Sequence, residues 1–203
     1  MAAPFSIATF SADVTVPIGH GMMGGLWKAK SVADPLYAKG VVVLGGEKPI
    51  VLVSVDWCEI RNESFDRWRE ALAKAANTPR ERVFLSAVHQ HEAPITDLEA
   101  QRILERRKLK GSICALSFHD KAVQRVVSAL VQSLNDSKRF THLGWVKQRW
   151  RGSLPIVGIF YQMGRSPLVV VVPAAVMCWR PTHQREPLIR GCARLVFGMV
   201  NNR

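Results

Sequence analysis

Apolar and polar positions along the first 147 residues switch between two periods. Phe5 to Phe10, continued by Val14 and Val16, has the alternation of an extended segment and is stopped by Pro17 and Gly19. Gly40 to Leu44 and Ile50 to Val55 are β-rich runs joined by Gly45-Gly46-Glu47-Lys48-Pro49, the pattern of a hairpin. From Ser64 to Ala76 the period lengthens to that of a helix. Trp68, Leu72 and Ala76 share one face, with Arg67, Arg69 and Lys74 around the rest. Thr78-Pro79 ends that element, and Val83 to Val88 reads as a buried strand. Asp97 to Leu109 is polar with scattered Leu and Ile, a surface helix. His119 to Leu134 is an amphipathic helix with a stripe of Ala122, Val126, Ala129, Leu130 and Leu134. Phe140 to Trp145 starts another strand. Strands interleaved with helices in this way predict an α/β fold, a mixed β-sheet with flanking helices.

The pattern dissolves after Lys147. Residues 148–203 contain eight Arg, no Lys and a single acid, Glu186, while residues 1–147 carry 20 basic against 15 acidic side chains. The net charge of +12 is therefore +5 over the first 147 residues and +7 over the last 56. This division separates residues 1–147, a catalytic-domain fragment, from an Arg-rich, poorly ordered tail, 148–203, with the composition of an out-of-frame reading of a GC-rich coding sequence. The apolar run Leu168 to Trp179 falls short of the roughly 20 residues a spanning helix needs, so no transmembrane span is expected. Nor does any nucleic-acid motif or aromatic stacking pattern accompany the charge. Cys58, Cys114, Cys178 and Cys192 are too scattered for a zinc ribbon or a disulfide framework, and Cys58 and Cys114 read as small core hydrophobes. No secretory leader is visible at Met1-Ala-Ala-Pro.

Candidate chemistry gathers at the end of the Val83 to Val88 run, in His89-Gln90-His91-Glu92-Ala93-Pro94. Continued extension would point His89 and His91 to one side and Gln90 to the other. Two imidazoles at the carboxyl end of a strand are half of a metal site, imidazole being the commonest protein ligand for zinc. The plainer alternative is that the pair caps the strand and bonds to loop carbonyls. Gly19-His20-Gly21-Met22-Met23-Gly24-Gly25 is either a ligand-lining loop or a tight connection.

These pieces together resemble, in order, the neutral/alkaline non-lysosomal ceramidase family. The matching stretches are Ala12-Asp13-Val14-Thr15 with Pro17 and Gly19, Gly21-Met22-Met23-Gly24, Asp34-Pro35-Leu36, Leu52-Val53-Ser54-Val55-Asp56, and Ser86-Ala87-Val88-His89-Gln90-His91-Glu92-Ala93-Pro94. They cover about the first third of a full-length member, so the chain reads as an incomplete fragment of a larger catalytic domain. The resemblance implies a zinc amidase that cleaves the N-acyl bond of a lipid-like substrate, with Zn²⁺ activating a water. His89 would be a metal ligand, and His91 a catalytic group beside the metal. Gly21, Gly24 and Gly25 would approach the substrate through their backbone. Asp56 would be structural, a cap or a support for a histidine, and His20, His119 and His142 ordinary histidines. The zinc site would be partial, because the family's other ligands lie further along and His183 stands out of context. Glu92 and Ile95-Thr96-Asp97 depart from the family pattern and put the lipid substrate itself in question. The resemblance leaves localisation and oligomeric state open, although family members are often secreted.

Two other readings stand beside this one. An amidohydrolase-type metal hydrolase also begins its site with His-x-His, but on the first strand of a barrel. A non-catalytic basic protein would bind nucleic acid or a membrane surface through its charge.

Overall fold

The computed structural model describes residues 5–141, together with the backbone of four strands between 143 and 199. The chain forms two compact units, residues 1–138 and 139–203. In the first unit the strands are β1 (Ser6–Asp13), β2 (Gly21–Met22), β3 (Trp27–Lys28), β4 (Tyr37–Leu44), β5 (Ile50–Val55), β6 (Glu59–Ile60), β7 (Val83–Ala87), β8 (Ile95–Thr96) and β9 (Lys138–Arg139). Its helices are α1 (Asn62–Ala75), α2 (Leu98–Arg106) and α3 (Leu116–Asn135). The main sheet runs β7-β5-β4-β1-β9. β4 and β5 form the expected hairpin, β1 adds antiparallel to β4, and β5 pairs parallel with β7 across the α1 crossover. This is the α/β class, mixed sheet and flanking helices, expected from the alternation of periods.

One face of the sheet carries Ala8 and Phe10 of β1, Ala38 and Val42 of β4, Val51, Val53 and Val55 of β5, and Val83 and Leu85 of β7. The side chains alternate because the strand period is two, and α1 and α3 cover this face. Helix α1 meets the core through Ser64, Trp68 and Leu72, spaced by four. Helix α3 uses Phe118, His119, Ala122, Val123, Val126 and Leu130. The ring of Phe10 lies over the bare Cα of Gly40, where a Cβ would collide with it.

Strand β7 differs from expectation in two ways. It lies at the edge of the sheet, and Phe84 on its second face is 38% exposed, so it is half-buried rather than buried. It also ends at Ala87, before the histidines. Helix α2 is held by Asp97, whose carboxylate accepts the N–H of Ala100 at 3.0 Å.

In the second unit the strands are β10 (Leu143–Gln148), β11 (Ile156–Met163), β12 (Ser166–Pro173) and β13 (Phe197–Met199), joined antiparallel in that order. The remainder of the reading of 148–203, with His142, His183, Cys178 and Cys192, lies outside the described residues. Among the described residues no helix is long and apolar enough to cross a membrane.

Candidate metal centre and the loops that build it

Strand β5 hands the chain directly to the site. Asp56 folds back so that its carboxylate accepts the N–H of Tyr37 at 2.9 Å while its own N–H donates to the Tyr37 carbonyl at 2.8 Å. Asp56 is thus a cap on the β4–β5 pair, and among the described residues its side chain supports no histidine. The carbonyl of Asp56 accepts Gln90 Nε2 at 2.6 Å, and that of Trp57 accepts the N–H of His89 at 3.1 Å. The Pro94 carbonyl accepts the N–H of Cys58 at 3.0 Å. The loop from Val88 to Pro94 is therefore laced to residues 55–59 by its backbone and by Gln90.

That lacing changes how the histidines come together. His89 has φ +60°, a left-handed conformation, so the two-residue period of the strand does not run through it. The turn, not the pleat, sets the rings of His89 and His91 edge to face with centroids 5.4 Å apart. Both are exposed, His89 with 55% of its side chain accessible.

The turn also points His89 Nδ1 at two groups that do not stand out in the sequence. Glu59 Oε1 lies 3.6 Å from it and Cys58 Sγ 3.9 Å. These three donor atoms all lie within 4.8 Å of one another. Zinc bonds of about 2.0–2.3 Å in a tetrahedron separate the ligand atoms by roughly 3.3–3.8 Å, close to the two distances from His89 Nδ1. Cysteine, glutamate and histidine are all zinc ligands, and three protein donors with an open side is the composition of a catalytic site. A cleft of about 260 Å³ opens beside them, lined by Arg61, Phe65, Leu85 and Ser86 among others. Burial and the neighbouring Glu59 push the Cys58 thiol above its ordinary pKa, so a cation is what would hold it as thiolate. Arg61 Nε pairs with the second oxygen of Glu59, which leaves Oε1 turned toward His89. The residues present fit a zinc ion.

Cys58, read from the sequence as a packing residue, is buried and also faces this cluster. The signal available was its position, three residues past the end of β5 and one before an acid. The meeting with His89 crosses 31 residues and depends on a backbone turn that composition does not announce.

The glycine-rich loop reaches the same place from the other side. Met23 N–H donates to the Ala93 carbonyl at 3.0 Å, and a Cβ on Gly24 would sit 3.7 Å from Ile95 Cδ1. Gly24 and Gly25 have φ of +71° and +94°, which favour glycine. At Gly21 a Cβ would overlap the Ser112 carbonyl oxygen, and at Gly25 it would lie 2.7 Å from that atom. The backbone of this loop is pressed against residues 112–113 on one side and joined to the His-bearing loop through Met23.

His20 holds the arrangement shut. Its Nε2 accepts the N–H of Ala115, the residue capping α3, at 3.1 Å, so the proton must sit on Nδ1, which donates to the Gly21 carbonyl at 2.8 Å. Burial pulls its pKa below 6.5 and keeps it neutral. His119 is fully buried between Trp57 and Trp68. Its Nε2 lies 2.8 Å from Ser64 Oγ, which in turn lies 2.8 Å from Thr96 Oγ1. Asp120 Oδ1 lies 3.5 Å from His119 Nδ1, so serine, histidine and aspartate are joined in sequence. With Ser64 and His119 both at 0% exposure no substrate reaches that hydroxyl, and the serine–histidine pair is part of the core, with Asp120 at the surface beside it.

Two solved structures share this fold. A ceramidase complexed with C2 superposes with a TM-score of 0.63 at 15% identity, over 80% of this chain and 29% of that one. The neutral ceramidase from Pseudomonas aeruginosa gives 0.52 at 16% identity, over 80% of this chain and 30% of that one. The fold is ceramidase-like, and the chain spans about three-tenths of the length of the structures it matches. No protein-family model matches the sequence, and no curated protein matches it either.

Proposed function

We propose that the chain carries the metal-binding end of a ceramidase-type, zinc-dependent amide hydrolase within a larger catalytic domain. The observation that carries this reading is the convergence of His89 Nδ1, Cys58 Sγ and Glu59 Oε1 beside an open cleft, on a ceramidase-like fold. His89, Cys58 and Glu59 would hold the ion. Bound there, zinc supplies a polarised carbonyl and a water acidified toward neutrality. His91, whose ring stands against that of His89, would exchange a proton with, or donate a hydrogen bond to, a group bound beside the metal. Met23 fixes the glycine-rich loop to the same segment, so the backbone of Gly24 and Gly25 would flank an N-acyl lipid lying over the site. The amidohydrolase alternative is less well supported, since that superfamily needs a barrel of parallel strands and β7 is the edge of a mixed sheet.

The test is metal binding by the intact chain, followed by cleavage of a fluorescent N-acyl sphingoid amide. Cobalt substituted for zinc should show a thiolate charge-transfer band that Cys58→Ser removes. His89→Ala should weaken zinc binding by more than the ~10- to 100-fold typical of lost outer-shell partners. Binding indifferent to both substitutions would sink the metal site, and a fully loaded chain with no amide cleavage in any assembly would sink the hydrolase reading.

A further inference from the structure

The two edges of the main sheet are finished differently. On one side the sheet stops at β9, which is two exposed cations, Lys138 and Arg139. A very short, charged edge discourages further pairing. On the other side it stops at β7, Val83–Ala87, which carries no charge and no proline. The backbone of β7 sorts into two sets. Val88 N–H donates to the Val55 carbonyl at 3.0 Å, and the register sets Val55 opposite Ala87. Alternate residues of a strand bond to the same neighbour, so Ser86 and Val88 turn their N–H and C=O groups toward β5. Val83, Leu85 and Ala87 turn theirs outward. Arg69 Nε donates to the outward Val83 carbonyl at 3.2 Å. Among the described residues nothing pairs with the outward groups of Leu85 and Ala87.

This unpaired stretch lies where two clefts meet. One, of about 470 Å³, is lined by Ile50, Phe65, Phe84 and Leu85 among others. The other is the cleft beside His89, which shares Phe65 and Leu85 with the first. Leu85 as a whole is only 5% exposed, so little water reaches its outward amide groups. Backbone groups that are shielded and unpaired cost free energy that a partner strand would recover.

We infer that the unpaired stretch of β7 takes an extended peptide as a sixth strand of the main sheet. The peptide pairs with the N–H and C=O groups of Leu85 and Ala87, and its alternate side chains lie in the two clefts. An acyl chain would fill the apolar clefts but has nothing to offer the amides. A second copy of this chain is disfavoured by the net charge of +12 that both copies carry. The free stretch, Leu85 to Ala87, is also only about 10 Å long, far from the area that a stable dimer buries. A peptide with apolar residues at every second position answers both the amides and the apolar walls. The inference concerns the sheet edge and does not rest on the hydrolase reading.

The experiment is a fluorescence-anisotropy titration of the full chain with a labelled, end-blocked heptapeptide that alternates valine and threonine. Two N-methylated versions accompany it, one methylated on the valines and the other on the threonines. Only every second amide of a paired strand faces the sheet, so one version should bind on the order of tenfold more weakly and the other like the parent peptide. Ala87→Pro removes an outward N–H that the chain itself does not use, which an edge strand tolerates, and should weaken binding on the order of tenfold. An unchanged circular dichroism spectrum confirms that this variant folds. The inference fails if the peptide does not bind, or if the two N-methylated versions bind alike. It also fails if the chain dimerises in sedimentation velocity and Ala87→Pro makes it monomeric, because a second copy would then be the occupant.

Discussion

The loop after β7 and the seam along α3 each hold two histidines, and the same side chain behaves in opposite ways in the two places. His89 and His91 are exposed, and among the described residues the ring of His89 has only the weak contact from Cys58 within hydrogen-bond distance. His20 and His119 are buried. His20 has both ring nitrogens engaged, and His119 bonds Ser64 closely and meets Asp120 at longer range. A satisfied, desolvated imidazole is part of the packing. An exposed one turned toward a thiol and a carboxylate has lone pairs to offer. Coordination capacity here follows from what each ring lacks, not from how deeply it lies.

The widest gap between the two regions should appear in stability. His119→Ala removes a ring enclosed by Trp57, Trp68 and Phe118-bearing α3 and strips Ser64 of a partner, which should cost about 3 kcal/mol. Urea denaturation measures it. A loss under about 1 kcal/mol would mean the network is not part of the core's support.

Acid should separate the regions next. Burial lowers the pKa of both His20 and His119 from 6.5, so folding excludes a proton that the unfolded chain accepts below that pH. Their contribution is therefore complete above pH 6.5 and is lost progressively as the pH falls from there toward the depressed folded values. Protonating His20 Nε2 also forfeits the bond from Ala115 N–H and loosens the glycine-rich loop from α3. The midpoint of urea unfolding should fall between pH 6.5 and 5, and His20→Gln should flatten that slope. A slope unaltered in the variant would place the acid sensitivity elsewhere.

Periodicity made the helices legible. Trp68 and Leu72 on α1, and Ala122, Val126 and Leu130 on α3, are the buried positions their spacing implies. The β4–β5 hairpin was equally plain in its Gly-Gly-Glu-Lys-Pro turn. What spacing could not show is anything made by distant segments. His20 meets Ala115 across 95 residues, and Gln101, on a helix read as surface, is buried with its Oε1 accepting from Ile113 at 2.8 Å. The alternation argument brought His89 and His91 together for a reason the backbone does not obey, since a left-handed residue ends the pleat before the second ring. Cys58 was hidden by its type, because a buried cysteine usually packs and nothing local marks one that also faces a cleft.

The smallest effect belongs to His89 itself and is the sharpest test of the contrast. His89→Gly trades the cost of a left-handed residue at φ +60° for the greater freedom of glycine in the unfolded chain, and these nearly offset. Stability should change by under ~0.5 kcal/mol even though the proposed metal ligand is gone. His89→Val removes the same imidazole but asks a β-branched residue to hold the left-handed turn, so it should cost ~1–2 kcal/mol. On the proposed ligation the two variants should weaken metal binding equally and differ only in the backbone. If His89→Gly proved as damaging as His119→Ala, the ring would be supporting the loop, and its freedom to coordinate would be lost.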